Sequence, residues 1–182
     1  MTSGPLAYSE QMHLLAIGLS LLALSTTSNV APCEKAMIGH GQADWRGESV
    51  VAGPVGVRRD PLGAMSRTGA GLVTKMPILV EGRAPETVDV SVPPQERGRV
   101  FLYYGEMRDR DGKPTTSFVN TRGYDETEFQ LCDNKPRTIW PGGIRVKGTA
   151  PVELEISVAG REQPYLLHLG RPRLYAPPTA SR

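Results

Sequence analysis

The sequence predicts an all-β protein: a single antiparallel β-sandwich of about seven to nine strands, with an extended N-terminal arm behind a cleavable hydrophobic leader. Three observations carry that expectation. Gly (20) and Pro (16) are frequent among the 182 residues, and no long helical periodicity interrupts them, which favours short strands joined by many turns. Short segments alternate apolar and polar residues at period 2, the mark of a strand with one buried face. Finally, one strand–turn–strand unit occurs twice, as I-L-V-E-G-R-A-P-E-T-V-D-V-S-V at residues 78–92 and I-R-V-K-G-T-A-P-V-E-L-E-I-S-V at residues 144–158.

In the first unit Val88, Val90 and Val92 point one way while Asp89 and Ser91 point the other; Leu154, Ile156 and Val158 repeat this against Glu155 and Ser157. Gly-x-Ala-Pro breaks each unit, since Gly permits positive φ and Pro cannot extend a ladder. Each unit is therefore expected to be a strand pair in equivalent surroundings. Together with Val100, Leu102, Leu131, Ile144 and Val146, the apolar residues of these units should supply much of the core.

The length suits one domain once the termini are set aside. Residues 1–31 read as a signal peptide or leader, 32–171 as the domain and 172–182 as a flexible tail rich in Pro and Arg. The leader rests on residues 12–24, M-H-L-L-A-I-G-L-S-L-L-A-L, followed by the small polar run at residues 25–28. This run is shorter than the roughly 20 apolar residues of a membrane span and matches a signal-peptide core. Cleavage after Ser25, with Ala23 at −3, or after Ser28 would release the chain to the cell envelope or the exterior. No Lys or Arg precedes Lys35, so an uncleaved anchor or a core helix remains the competing reading, and either Met1 or Met12 can be the start.

The two cysteines, Cys33 and Cys132, have no metal-type spacing and fit a disulfide in an oxidising compartment. Such a bridge would close about 100 residues, for which loop entropy gives roughly 4–5 kcal/mol. V-A-P-C at residues 30–33 also has a loose lipobox shape, with Pro before the cysteine as its departure. The formal charge of +2 is near neutral, so nothing points to nucleic acid as a partner.

In chain order, residues 33–48 read as an extended arm carrying Trp45, and residues 49–57 as one strand bent at Gly53-Pro54. A connecting loop follows over 58–71, then the first repeated unit over about 73–92. R-V-F-L-Y-Y at residues 99–104 is the most apolar strand, with Phe101 and Tyr103 opposed to Val100, Leu102 and Tyr104, so both faces need cover. A hairpin tip centred on Asp111-Gly112, a return strand at 116–119, a strand at 126–132, the second unit and a last strand at 165–169 complete the domain.

The ordered motifs P-C-E-K-A, G-P-V-G-V, R-V-F-L-Y-Y-G, F-Q-L-C and R-T-I-W-P-G-G-I-R-V resemble a group of uncharacterised secreted actinomycete β-sandwich-like proteins. The resemblance spans most of residues 32–171. It implies export and, because the group has no established activity, assigns no site.

Candidate chemistry is sparse. There is no G-x-S-x-G, H-E-x-x-H, P-loop or G-x-G-x-x-G. His40 with Asp44 offers a base and an orienting carboxylate, and His168 lies on a strand, but a solvated histidine explains both more simply. Asp109-x-Asp111-Gly112 opens like a calcium loop, yet Val119 and Asn120 stand where the distal acidic ligand belongs. No catalytic residue, metal or cofactor is expected. The better candidates are Phe101, Tyr103, Trp140 and Trp45, which would make a flat aromatic platform for a sugar or a partner protein. The competing reading has the arm cover that strand with Trp45 packed as core. Function is thus expected to be that of a secreted or envelope module that binds protein or glycan without catalysis. The alternative is a secreted hydrolase of envelope polymers using His40, Asp44 or the Asp109/Asp111 pair.

Overall fold

The computed structural model describes residues 26–37, 49–82, 86–109, 111–118, 121–133 and 136–175. Among the described residues thirteen strands follow in chain order: β1 (Ser28–Ala31), β2 (Ser49–Ala52), β3 (Val55–Arg58), β4 (Ser66–Thr68), β5 (Gly71–Lys75), β6 (Ile78–Glu81), β7 (Thr87–Ser91), β8 (Val100–Tyr104), β9 (Glu126–Gln130), β10 (Arg137–Trp140), β11 (Gly142–Val146), β12 (Val152–Val158) and β13 (Tyr165–Gly170). Short 3-10 turns at Cys33–Lys35 and Pro94–Glu96 are the only helical pieces among the described residues. None is long and apolar enough to cross a membrane.

The protein is all-β, as its turn residues and alternation require, and its strands form three sheets. Sheet I has the order β1-β9-β7-β12-β13, sheet II the order β10-β6-β3-β2 and sheet III the order β4-β5-β11-β8. Every ladder is antiparallel except β1 on β9. One hydrophobic cluster draws on all three sheets, including the fully buried Val90, Leu102, Phe129, Trp140, Ile144, Leu154 and Ile156. The alternation placed the expected core residues there, apart from Val158, which is only partly buried against the cluster. Three rings tie the sheets together: Phe129 of β9 meets Tyr104 of β8 at 5.3 Å and Trp140 of β10 at 5.2 Å, both edge to face. Such contacts add about 0.5–1.5 kcal/mol beyond area burial. The Tyr104 hydroxyl, inside this stack, donates to the Met76 carbonyl at 2.6 Å.

Each of the spans 78–92 and 144–158 contains two strands, and the two lie in different sheets. β6 lies in sheet II and β11 in sheet III, whereas β7 and β12 are neighbours in sheet I. Val90 stands opposite Ile156 there, and these two residues hold the same place in the two spans. The strands entering the spans exchange partners. Trp140 of β10 pairs with Ile78, and Thr74 of β5 pairs with Ile144, the corresponding couple. Met76 donates its N–H to the Gly142 carbonyl at 3.0 Å, joining a third pair of corresponding residues.

The strand count exceeds the seven to nine expected, for local reasons. Residues 49–57 are not one bent strand but the hairpin β2–β3, with Ala52 opposite Val55. Gly53 turns it at φ +56°, where a Cβ would sit 2.5 Å from the Tyr165 ring. The 58–71 loop contains β4, paired to β5. Of the expected return strand at 116–119, the described residues 116–118 form no ladder, and Asp109 bridges Thr121. At the C-terminal end, Arg173 and Tyr175 bond residues 62–65 through their backbone, so residues 173–175 are seated on the body rather than frayed.

The N-terminal segment is equally well held. β1 adds to the edge of sheet I, and the Asp125 carboxylate accepts the Thr27 N–H at 3.2 Å and hydroxyl at 3.0 Å. Residues 27–31 are thus tied to the sheets. Asn29 Nδ2 donates to the Tyr104 carbonyl at 2.6 Å. Cys33 and Cys132 form a disulfide with Cα atoms 5.2 Å apart.

Candidate functional site

Sheet III turns one face to the core and the other outward, and the outward face carries the most distinctive chemistry of the molecule. Alternation sends Ile144 and Val146 of β11 inward and leaves Arg145 outward. Phe101 of β8 stands directly across from Arg145. The strand at 99–104 needs cover on both faces, and Phe118 and residues 121–124 supply it on the outer one. Phe118 packs edge-on against Tyr103 at 5.3 Å. Gly123 lets the backbone press close at φ +77°, where a Cβ would lie 2.7 Å from Phe101 Cβ and 2.8 Å from the Tyr103 ring.

Beneath this cover Arg145 is 7% exposed. Its Nη1 donates to the Thr121 carbonyl at 3.3 Å and Nη2 to the Arg122 carbonyl at 2.9 Å. The guanidinium lies 4.6 Å from the Phe101 ring centre and 5.3 Å from that of Tyr103. Lys147 adds its ammonium 5.1 Å from the same Phe101 ring. Among the described residues no carboxylate pairs with Arg145 and Nε has no acceptor. Buried charges are ordinarily paired, because desolvation costs several kcal/mol per ion; here carbonyl dipoles and ring faces provide only part of that compensation.

Arg145 borders a cavity of about 790 Å³ that is also lined by Phe101, Asp109, Thr121, Arg122, Lys147 and the turn at residues 69–71. Among the described residues, three cations and one carboxylate therefore line it. That carboxylate is engaged: Asp109 Oδ1 accepts the N–H groups of Asp111 and Lys113, each at 2.9 Å. The Asp-x-Asp-Gly stretch is a hairpin tip, closed by Asp109 N–H to the Lys113 carbonyl at 2.8 Å, with Asp111 exposed at its end. Burial pushes the Tyr103 phenol up to about 12, against the opposing pull of Arg145. Its hydroxyl is buried with no partner among the described residues.

Of the four aromatic residues expected to form a flat platform, the three that are described stand in different surroundings. Trp140 is fully buried in the core against Phe129, because β10 faces it inward. Tyr103 is 1% exposed under Phe118. Phe101 is half-buried, with the Arg145 and Lys147 cations near its ring. Trp45, His40 and Asp44 lie outside the described residues. Arg145 and Lys147 were not singled out in the sequence; a lone arginine between two core residues of I-R-V was the available signal.

Elsewhere, the outer face of sheet I is acidic. Asp89 stands opposite Glu128, and Glu126, Glu153 and Glu155 share its face. Partial burial first, then Glu126 and Glu128, raise the Asp89 carboxyl above its ordinary range. His168 Nδ1 lies 2.6 Å from Glu153 on an exposed strand position. A second cavity, of about 890 Å³, opens beside Arg58, Asp60, Lys75, Leu79 and Ile139. Its rim includes Ser49 and also Ile139, whose backbone bridges Met37. No group of His, Cys, Asp and Glu among the described residues is arranged to hold a metal ion. No protein-family model matches the chain, and a search of curated proteins finds no match.

Proposed function

We propose that this chain is an exported β-sandwich-type module that binds an envelope or extracellular ligand, glycan or protein, through the Arg145 pocket. The observation that carries the reading is a buried arginine with no carboxylate partner among the described residues, bordering a cavity lined by two further cations. Rigid strands hold the floor in place, which suits binding by preorganised groups. A hydrolase needs an acid and a base positioned on each other, and in this cavity the carboxylate of Asp109 is already held by two backbone amides. Retention of the exported protein on immobilised cell-envelope glycan and protein fractions tests the proposal. Lys147→Ala and Arg122→Ala should each reduce retention while leaving the melting temperature in place; unchanged retention in both would remove the pocket from the reading.

Export follows the same logic. The disulfide supports passage to an oxidising compartment, and the use of Thr27 and β1 by the fold favours cleavage after Ser25 over cleavage after Ser28. Sequencing of the exported protein should return Thr26 as its first residue; a chain beginning at Asn29 would lack Thr27 and the first residue of β1. We further infer that residues 71–92 and 137–158 are two copies of one unit. The corresponding pairings Thr74–Ile144 with Trp140–Ile78, and Val90 with Ile156, support this.

A further inference from the structure

We propose that the Arg145 pocket is a binding site for one oxyanion group, carboxylate or phosphate, carried by the ligand. This deepens the binding reading above and rests on it. The argument starts from donor bookkeeping. An arginine side chain has five N–H donors and cannot shed its charge. Arg145 uses two of them on the carbonyls of Thr121 and Arg122, and the other donors have no acceptor among the described residues. Side chains this deeply buried, at 7% exposure, are ordinarily satisfied.

Three features say that the missing acceptor is an external anion. First, Asp109 is the carboxylate that lines the cavity, and its Oδ1 is taken by Asp111 and Lys113 N–H groups. Second, Lys147 and Arg122 add positive charge to the rim, and neither has an ion pair among the described residues. Third, the Phe101 ring already faces Arg145 at 4.6 Å and Lys147 at 5.1 Å. A ring engaged by two cations is a poor stacking surface for a neutral sugar, but it fixes those cations beside one cavity. A planar guanidinium with free N–H groups suits carboxylate or phosphate oxygens, and a mobile ammonium can follow either. The turn at residues 69–71, lining the same cavity, leaves room for the body of the ligand.

The test is an NMR titration of the exported protein with sodium phosphate and, separately, sodium acetate, at ionic strength held constant with sodium chloride. The expected result is saturable movement of the Gly71, Thr121, Lys147 and Gly148 amides and of the Arg145 Nε–H resonance. Saturation by phosphate alone assigns a phosphoryl group, saturation by acetate alone assigns a carboxylate, and saturation by both leaves a general oxyanion site. Lys147→Ala or Arg122→Ala should weaken the saturating anion by about tenfold, the scale of one lost charge-assisted contact. Arg161→Ala, an exposed cation stacked on Tyr165 away from the cavity, should leave it unchanged. The proposal is overturned by linear drift without saturation for both anions, or by saturation that Lys147→Ala and Arg122→Ala leave intact. Either result can occur while retention on envelope fractions still depends on the pocket, so a failed anion site and a failed binding reading are told apart.

Discussion

Tyr103 shows what cover does to one side chain. Its phenol is 1% exposed and its hydroxyl has no partner among the described residues. A buried unpaired hydroxyl costs about 1–3 kcal/mol relative to a satisfied one. Tyr103→Phe should therefore hold or raise stability by about 1 kcal/mol at neutral pH, read as the midpoint of chemical denaturation; a large loss would mean that the hydroxyl has a partner. The pH dependence has a definite sign. An unfolded tyrosine titrates near 10.0 and the folded Tyr103 near about 12, so the stability of the neutral phenol is complete below the first value and lost as pH rises toward the second. Tyr103→Phe should flatten that alkaline loss. Asp89 obeys the same rule lower on the scale. Its carboxyl is raised above the ordinary 3.8 by burial and by Glu126 and Glu128, so its ionisation weighs on the fold at neutral pH and not below that ordinary value. Asp89→Asn should raise the melting temperature at pH 7, with the gain vanishing as the solution is acidified. The inward positions around these residues were legible from period-2 alternation. The depth of Tyr103 was not, because Phe118 and Gly123, which lie against it, stand in a stretch with no periodic pattern.

At the level of elements, β1 and the disulfide form one device. β1 sits on the sheet edge through its parallel ladder to β9, and Cys33 follows it by two residues to meet Cys132, two residues beyond β9. The bridge spans a sequence separation of 99, for which the chain-entropy model gives about 4–5 kcal/mol. The double substitution Cys33→Ala/Cys132→Ala should lower unfolding free energy by a large part of that amount, measured by denaturant melts. It should also open β1 first, visible as faster amide exchange at Asn29 and Ala31 than at β12. Equal exchange in both strands would show that the arm holds without the bridge. Elements with one apolar face announced themselves in the sequence, as β7, β9 and β12 did. The hairpin β2–β3 did not, since V-V-A-G-P-V-G-V is apolar on both sides of its turn and reads equally well as one bent strand. β1 was hidden for another reason: S-N-V-A is short, and its strand form depends on the neighbouring edge of β9.

For the whole molecule, the decisive feature is how residues 78–92 and 144–158 meet. β7 and β12 lie inside sheet I, flanked by β9 and β13, with Val90 and Ile156 fully buried and opposite each other. Either residue changed to Asp would bury an unpaired charge in the shared core, and the fold should be lost. The gentler and more informative experiment exchanges them. Ile156→Val alone removes a methylene and should cost about 0.5–1.5 kcal/mol. Val90→Ile alone adds one to a filled core and should cost about 1–3 kcal/mol through strain. The two side chains touch the same space across one ladder, so their effects should not simply add. Val90→Ile with Ile156→Val keeps the pair's volume and merely transposes it between corresponding places. If those places have equivalent surroundings, the double variant should lie close to the parent and well below the sum of the two singles. Denaturation of all four proteins measures the coupling directly. A double variant as unstable as that sum would show that the two sites pack independently, and the equivalence of the two spans would end at their backbone pairing.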